Sequence, residues 1–322
     1  MNEGLVVIIG SGELGPSMKS TYRHLLEHVN ATEITILDST YGFQENADHL
    51  TERIEQHFRD AFSVDTKVAS LRRPDADQSD RDRFIAAVEQ AQVVFAGPGS
   101  PSYANRIWSQ LPLRATLTAV VDRGGAVVMA SAAAVTLGAQ AIPVYEIYKV
   151  GDDPKWLPGF DLLSNYGLSV AVVPHWNNRE GGFHDTSHCF IGATRFRQLV
   201  DQLSPEISLL GVDEHTSVSV HSQSGVMLVL GSGASHFNDQ TFDTSMPVPG
   251  FVARPQLEAA LPPPEQESEW RGVIALLVEL REEARARGDF ARSDSIRDRL
   301  SEVGVMIRDT PTGTEWSANH DR

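Results

Sequence analysis

Gly124-Gly125-Ala126-Val127-Val128-Met129-Ala130-Ser131-Ala132-Ala133-Ala134 is an apolar run that stops at one serine and resumes as a string of alanines. Its valine-rich part reads as a buried strand, and its alanines suit the start of a helix. A strand, a serine and a helix in that order make a nucleophile elbow. The sharp turn lifts the hydroxyl out of the backbone, and the helix N-terminus faces the charge that develops on an attacked carbonyl. Strand and helix nearly touch at such a turn, so the flanking residues must be small. Ala130, Ala132, Ala133 and Ala134 meet that need. The usual Gly-x-Ser-x-Gly is absent, because Met129 and Ala133 stand where the glycines would be. A serine at an ordinary strand end fits these residues equally well.

Upstream, Leu5–Ile9, Glu33–Leu37 and Gln92–Ala96 are further apolar strands. Helices are expected over 19–28, 46–61, 79–91 and 103–122, the last broken at Pro112. Strands alternating with helices imply an α/β fold, a doubly wound and mostly parallel sheet flanked by helices. Sites in such sheets form at the carboxyl ends of the strands. The loops at Gly10, Asp38, Gly97 and Ser131 all follow strands, so they can meet on one edge. The loop Gly10-Ser11-Gly12-Glu13-Leu14-Gly15 could cradle a phosphate, but its spacing suits a tight turn with close packing better.

A serine nucleophile needs a base, the base an orienting carboxylate, and the oxyanion two donors. Leu168–Val173 is a strand that ends at Pro174-His175-Trp176, which makes His175 the candidate base. Ile207–Gly211 leads into Val212-Asp213-Glu214-His215, so the orienter is Glu214 or its neighbour Asp213. The donors would be the N–H of Ala132 and that of Gly99 or Ser100. Glycine at 99 lets the backbone approach a substrate closely. Ser100, Asn177 and Arg179 are expected to touch substrate. Arg179 would serve as a carboxylate clamp, although a surface arginine is the commoner role. Tyr145, Glu146, Tyr148 and Lys149 read as a loop packed on the core. Beyond them, 217–221 and 226–230 look like paired strands.

The 322-residue chain carries a formal charge of −16, which disfavours a general binder of nucleic acid or of an anionic membrane. One cysteine, Cys189, excludes a disulfide framework and fits a buried small hydrophobe. His184, Asp185, His188 and Cys189 lie close together in sequence, but no further ligand set accompanies them, so no metal and no cofactor are expected. The N-terminus shows no basic leader and no apolar run reaches membrane length, which points to a cytoplasmic protein without membrane contact.

Residues 1–240 resemble the class I glutamine-amidotransferase-like superfamily. Within it they are most similar to the serine peptidases of family S51, which include aspartyl dipeptidase (peptidase E) and cyanophycinase. The loop Gly97-Pro98-Gly99-Ser100, the elbow Ser131-Ala132, the strand ending in His175 and the turn Gly211-Val212-Asp213-Glu214 carry the likeness. The resemblance implies a Ser-His-Glu triad of Ser131, His175 and Glu214, with Gly99 giving an oxyanion donor. It departs at the elbow, where the family's Gly-x-Ser-Ala-Gly reads Met129-Ala130-Ser131-Ala132-Ala133. A glutaminase proper would need cysteine at 131.

The C-terminal part divides off near a proline-rich linker. The expected organisation is a peptidase-like domain over 1–244, the linker over 245–268 and a helical hairpin module over 269–322. In the module, Leu276, Leu277, Leu280, Ala284, Phe290, Ile296, Leu300 and Val305 can form one apolar seam. The stretch from Ala284 to Leu300, followed by Gly304 to Trp316 with its Asp309-Thr310-Pro311-Thr312-Gly313-Thr314, is similar to the C-terminal tail of cysteinyl-tRNA synthetases. That resemblance implies contact with tRNA or with a protein partner. Two functions are thus expected as alternatives. One is a serine hydrolase of a small peptide, isopeptide or amide, with homodimer formation open. The other is a non-catalytic binding protein on the same fold, whose tail acts as an adaptor.

Overall fold

The computed structural model describes residues 3–247, helical positions 278, 281, 284, 285, 293, 294, 296, 297 and 300, and a β-hairpin at 305–310 and 313–318. Contacts divide the chain into two units, Met1–Glu258 and Ala259–Arg322.

The first unit opens with β1 (Leu5–Ile9), α1 (Lys19–Val29), β2 (Glu33–Leu37), α2 (Ala47–Phe62), β3 (Asp65–Ala69) and α3 (Gln78–Gln90). It continues through β4 (Val93–Ala96), α4 (Pro101–Trp108), α5 (Leu113–Asp122), β5 (Ala126–Ala130) and the short α6 (Ala132–Thr136). Strands β1, β5, β4, β2 and β3 run parallel, in that spatial order. Their unbroken apolar runs follow from burial on both faces. Val6, Ile8, Val127 and Met129 point into a core shared with α3, α4 and α5. Leu5, Val7, Ile9, Val128 and Ala130 point the other way, against α1 and α2. The chain breaks at Pro112 between α4 and α5, since proline cannot donate within a helix. Strand β3 goes unnoticed in the sequence because it lies at the sheet edge and its first four residues are not buried.

The second half supplies β6 (Gln140–Ala141), β7 (Leu157–Pro158), β8 (Val170–Val173), α7 (Ala193–Gln202), β9 (Ser208–Val212), β10 (Thr216–His221), β11 (Val226–Gly231), β12 (Ser235–Phe237), β13 (Gln240–Phe242) and β14 (Ser245–Pro247). Strands β10, β11 and β14 extend the first sheet antiparallel from β1, giving eight strands. The expected pairing of β10 with β11 is present. Strands β8 and β9, which precede His175 and Glu214, belong instead to a second, six-stranded sheet in the order β13-β12-β9-β8-β6-β7. The common edge expected from the sequence is therefore assembled from two sheets. Val172 and Val212 pack into the core beneath β5, while Val173 faces a third cluster with Cys189, Phe196 and Leu199.

Residues 245–247, the start of the proline-rich stretch, form β14, and the rest of the expected linker lies outside the described residues. In the second unit Val278, Arg281 and Ala284 are helical and buried at three-residue spacing, and Leu300 is buried as well. Leu276, Leu277, Leu280 and Phe290 lie outside the described residues. Strands β15 (Val305–Thr310) and β16 (Gly313–Ala318) pair antiparallel, with Thr310 opposite Gly313. Among the described residues no helix is long and apolar enough to cross a membrane.

Candidate active site

Ser131 stands between β5 and α6 at φ 52° and ψ −115°. A non-glycine residue held there costs about 1–3 kcal/mol, so the surrounding structure must impose it. The Ser131 N–H donates to the Ile9 carbonyl at 3.0 Å, which ties the turn to β1. Met129 and Ala133 are fully buried in the core on the α3–α5 face of the sheet.

Ser131 Oγ lies 2.8 Å from His175 Nε2. His175 Nδ1 lies 3.0 Å from Glu214 Oε1. An ionised carboxylate only accepts, so Nδ1 carries the proton and Nε2 is free to accept from the serine hydroxyl. The hydrogen bond from His175 holds the Glu214 carboxyl below its usual range; burial opposes it and a bond from Asn178 assists. Asp213, the other candidate orienter, turns away: it accepts from the Ala234 N–H and lies 3.0 Å from His236 Nε2.

Two asparagines steady the glutamate. Asn178 Nδ2 donates to Glu214 Oε1 at 2.6 Å, and the Glu214 N–H donates to Asn177 Oδ1 at 2.9 Å. Asn178 was not singled out by the sequence, where it is one of two adjacent asparagines. The glycine-rich loop after β1 packs on the same turn. A Cβ on Gly10 would lie 2.0 Å from the Asp213 carbonyl, and one on Gly12, at φ 68°, would lie 2.3 Å from His215 Nδ1.

The loop after β4 brings Gly99 beside the serine at φ 143°, with no room for a side chain: a Cβ would lie 2.1 Å from the Thr40 carbonyl. The Ser100 N–H donates to that carbonyl at 2.8 Å, and Ser100 Oγ caps α4 by accepting from the Tyr103 N–H. Of the two donors left open by the sequence, Ser100 is thus already engaged. The Thr40 segment is held by Asp38, which is fully buried. Asp38 accepts from Ser70 Oγ, the Leu71 N–H and Arg72 Nε at 2.6, 3.0 and 2.6 Å.

Ser131, His175, Gly99 and Ala132 share one cavity of about 320 Å³. Its walls include Val135, Val144, Tyr145, Tyr148, Lys149, Glu180, His184, Cys189 and Phe190. Ser100, Asn177 and Arg179 do not line it. Ser100 is committed to α4, Asn177 is committed to the Glu214 backbone, and Arg179 is exposed. The loop that carries Tyr148 and Lys149, read from the sequence as mere packing, borders the cavity instead. Burial pushes the Cys189 thiol up to about 12, so it stays neutral beside the serine. His184 stacks on Tyr148, whereas His188 stacks on Phe196. Among the described residues no three His, Cys, Asp or Glu side chains are grouped to hold a metal.

The chain is similar in structure to a peptidase from an acI-B1 Actinobacterium, with a TM-score of 0.60 and 19% identity, covering 77% of this chain and 98% of that one. The two share an α/β fold of mixed sheets flanked by helices. Residues 273–316 match the family model of the cysteinyl-tRNA ligase anticodon binding domain. Over 45 residues the chain is 49% identical to the cysteine–tRNA ligase of Moorella thermoacetica, covering 14% of this chain and 10% of that protein. It is 60% identical over 45 residues to that of Chlorobaculum tepidum, covering 14% of this chain and 9% of that protein. The chain therefore spans about a tenth of the length of these ligases.

Proposed function

We propose that this protein is a serine hydrolase of the peptidase E and cyanophycinase type, acting on a small peptide, isopeptide or amide. The observation that carries the reading is the chain of contacts from Ser131 Oγ to His175 Nε2 and from His175 Nδ1 to Glu214. Ser131 Oγ attacks the carbonyl carbon and gives its proton to His175 Nε2. The imidazolium that forms is stabilised by Glu214, then protonates the leaving nitrogen. The N–H groups of Gly99 and Ala132 hold the oxyanion; losing one such donor slows acyl transfer by about 10²–10³. Water, deprotonated by the same imidazole, releases the acyl group from Ser131.

A fluorophosphonate probe tests this reading. Wild type is expected to be labelled at Ser131, and Ser131→Ala to remain unlabelled. A folded wild type that resists the probe would rule the triad out.

The family match at 273–316 supports a second, separable reading, in which the C-terminal segment contacts tRNA. A gel-shift with total tRNA on the full chain, repeated after deletion of 265–322, tests it. A shift that depends on the segment is expected, and its absence removes the tRNA reading. Without labelling, such a shift would favour the adaptor alternative.

A further inference from the structure

We infer that His236 is a positioning residue of the site. Its ring binds Asp213, the neighbour of Glu214, and stacks on Trp176, the neighbour of His175. The inference rests on the hydrolase reading for what that alignment serves.

The His175 backbone needs to be held. It lies at φ 51°, in the left-handed region that a non-glycine residue keeps only when its surroundings impose it. Its neighbour Trp176 supplies part of that constraint. The Trp176 N–H donates to the Val212 carbonyl at 3.1 Å, and its carbonyl accepts from the His188 N–H at 2.9 Å. The Trp176 ring lies against β9 at Gly211, where a Cβ would come within 2.3 Å of its Cε3. Glycine at 211 leaves the indole the room it needs there. The indole stacks on His236, with ring centroids 4.9 Å apart and planes at 18°. His188 and Phe196 stand edge-on to it at 4.5 and 5.5 Å.

The other arm is polar. Strand β12 pairs with β9 so that His236 lies opposite Gly211 and Ser235 opposite Val212. Asp213, the next residue after β9, exchanges two bonds with Ala234. Its N–H donates to the Ala234 carbonyl at 3.1 Å, and its Oδ2 accepts from the Ala234 N–H at 3.0 Å. Asp213 Oδ1 lies 3.0 Å from His236 Nε2. A carboxylate only accepts, so Nε2 carries the proton, and in the neutral ring Nδ1 accepts from Thr241 Oγ1 at 3.0 Å. Both carboxylate oxygens and both ring nitrogens are then engaged, which fixes the residue just before Glu214. The Asp213 and His236 side chains are only 11% and 17% exposed, so water competes little for these bonds. Neither residue lines the cavity, so the pair acts on the site through its neighbours and does not touch substrate. One imidazole ring ties the segment carrying His175 to the turn carrying Glu214, whose side chains meet at 3.0 Å. A misplacement of about 1 Å at a reacting group costs on the order of a hundredfold in rate.

Two measurements on the full chain test the inference. One is the rate of fluorophosphonate labelling. The other is the low-field proton NMR resonance of the His175 Nδ1–H bonded to Glu214, assigned by its loss in Glu214→Gln. His236→Ala is expected to slow labelling by about tenfold or more and to move or broaden that resonance, with the circular dichroism spectrum unchanged. His236→Gln keeps a donor for Asp213, and His236→Phe keeps a ring for Trp176. Each is expected to fall between wild type and alanine in both measurements, and the two carry the test if the alanine variant does not fold. Lowered stability with wild-type labelling and an unmoved resonance means that His236 only stabilises the fold; it overturns the inference and keeps the hydrolase. A wild type that resists the probe, but whose resonance moves in the His236 variants, keeps the positioning role and removes the hydrolase.

Discussion

Asn178 donates its side-chain N–H to the same Oε1 of Glu214 that receives His175 Nδ1, at 2.6 Å. The carboxylate is thereby fixed from two directions. Asn178 is almost fully buried, and its own Oδ1 accepts from the Glu180 N–H, so its orientation is set as well. A hydrogen bond to a charged group contributes about 1.5–3 kcal/mol. Asn178→Ala is therefore expected to slow fluorophosphonate labelling by about tenfold or more, with the circular dichroism spectrum unchanged. Labelling at the wild-type rate would show that the second bond does not govern the imidazole.

Asp38 is the fully buried partner of Arg72, whose guanidinium also reaches Asp48. Losing the Asp38 carboxylate removes three hydrogen bonds to a charged acceptor, a class worth about 1.5–3 kcal/mol each, while Arg72 keeps Asp48. Asp38→Ala is expected to lower the urea midpoint accordingly. It should also slow labelling under conditions where the variant is still folded, because Thr40 would no longer hold Ser100 and Gly99 in place. Stability loss with unaltered labelling would separate the clamp from the site.

The elbow lacks its glycines, and the Met129 side chain is buried in the core on the α3–α5 face of the sheet. Met129→Gly would leave a cavity there and is expected to cost at least about 2 kcal/mol in chemical denaturation. It should not accelerate labelling of Ser131. A faster reaction in the glycine variant would mean that the methionine constrains the turn after all.

Asp185 caps the start of α7 by accepting from the Ala193 N–H at 2.7 Å, and it accepts from the Ser187 N–H at 2.9 Å. These bonds, that to Ala193 foremost, hold its carboxyl down from 3.8 to about 2. A carboxyl whose folded value is depressed binds its proton first in the unfolded chain. Its stabilising contribution is therefore complete above about pH 5 and lost as pH falls through 3.8 toward 2. Asp185→Asn is expected to lower the urea midpoint at pH 6 and to bring it close to wild type near pH 2. An equal deficit at both values would show that the cap does not titrate.

The parallel strands could be read from residues alone because burial on both faces writes them as unbroken runs such as Leu5–Ile9. Strand β3 could not, since an edge strand exposes half of its residues and keeps polar ones. The role of Asn178 was equally hidden: an asparagine acquires a partner only when a chain 36 residues further on is folded against it. Arg179 shows the reverse case, a residue chosen for its chemistry that the fold leaves outside the cavity.

The amino-acid order by itself determined the strand, the serine and the alanine helix at 124–134, because propensity and apolar pattern act between near neighbours. Only the tertiary structure decided that Asp213 turns to His236, that Ser100 is spent on Thr40, and that two sheets rather than one bring Ser131, His175 and Glu214 together. Contacts across 44 and 39 residues depend on how sheets stack and loops cross, which no local pattern encodes.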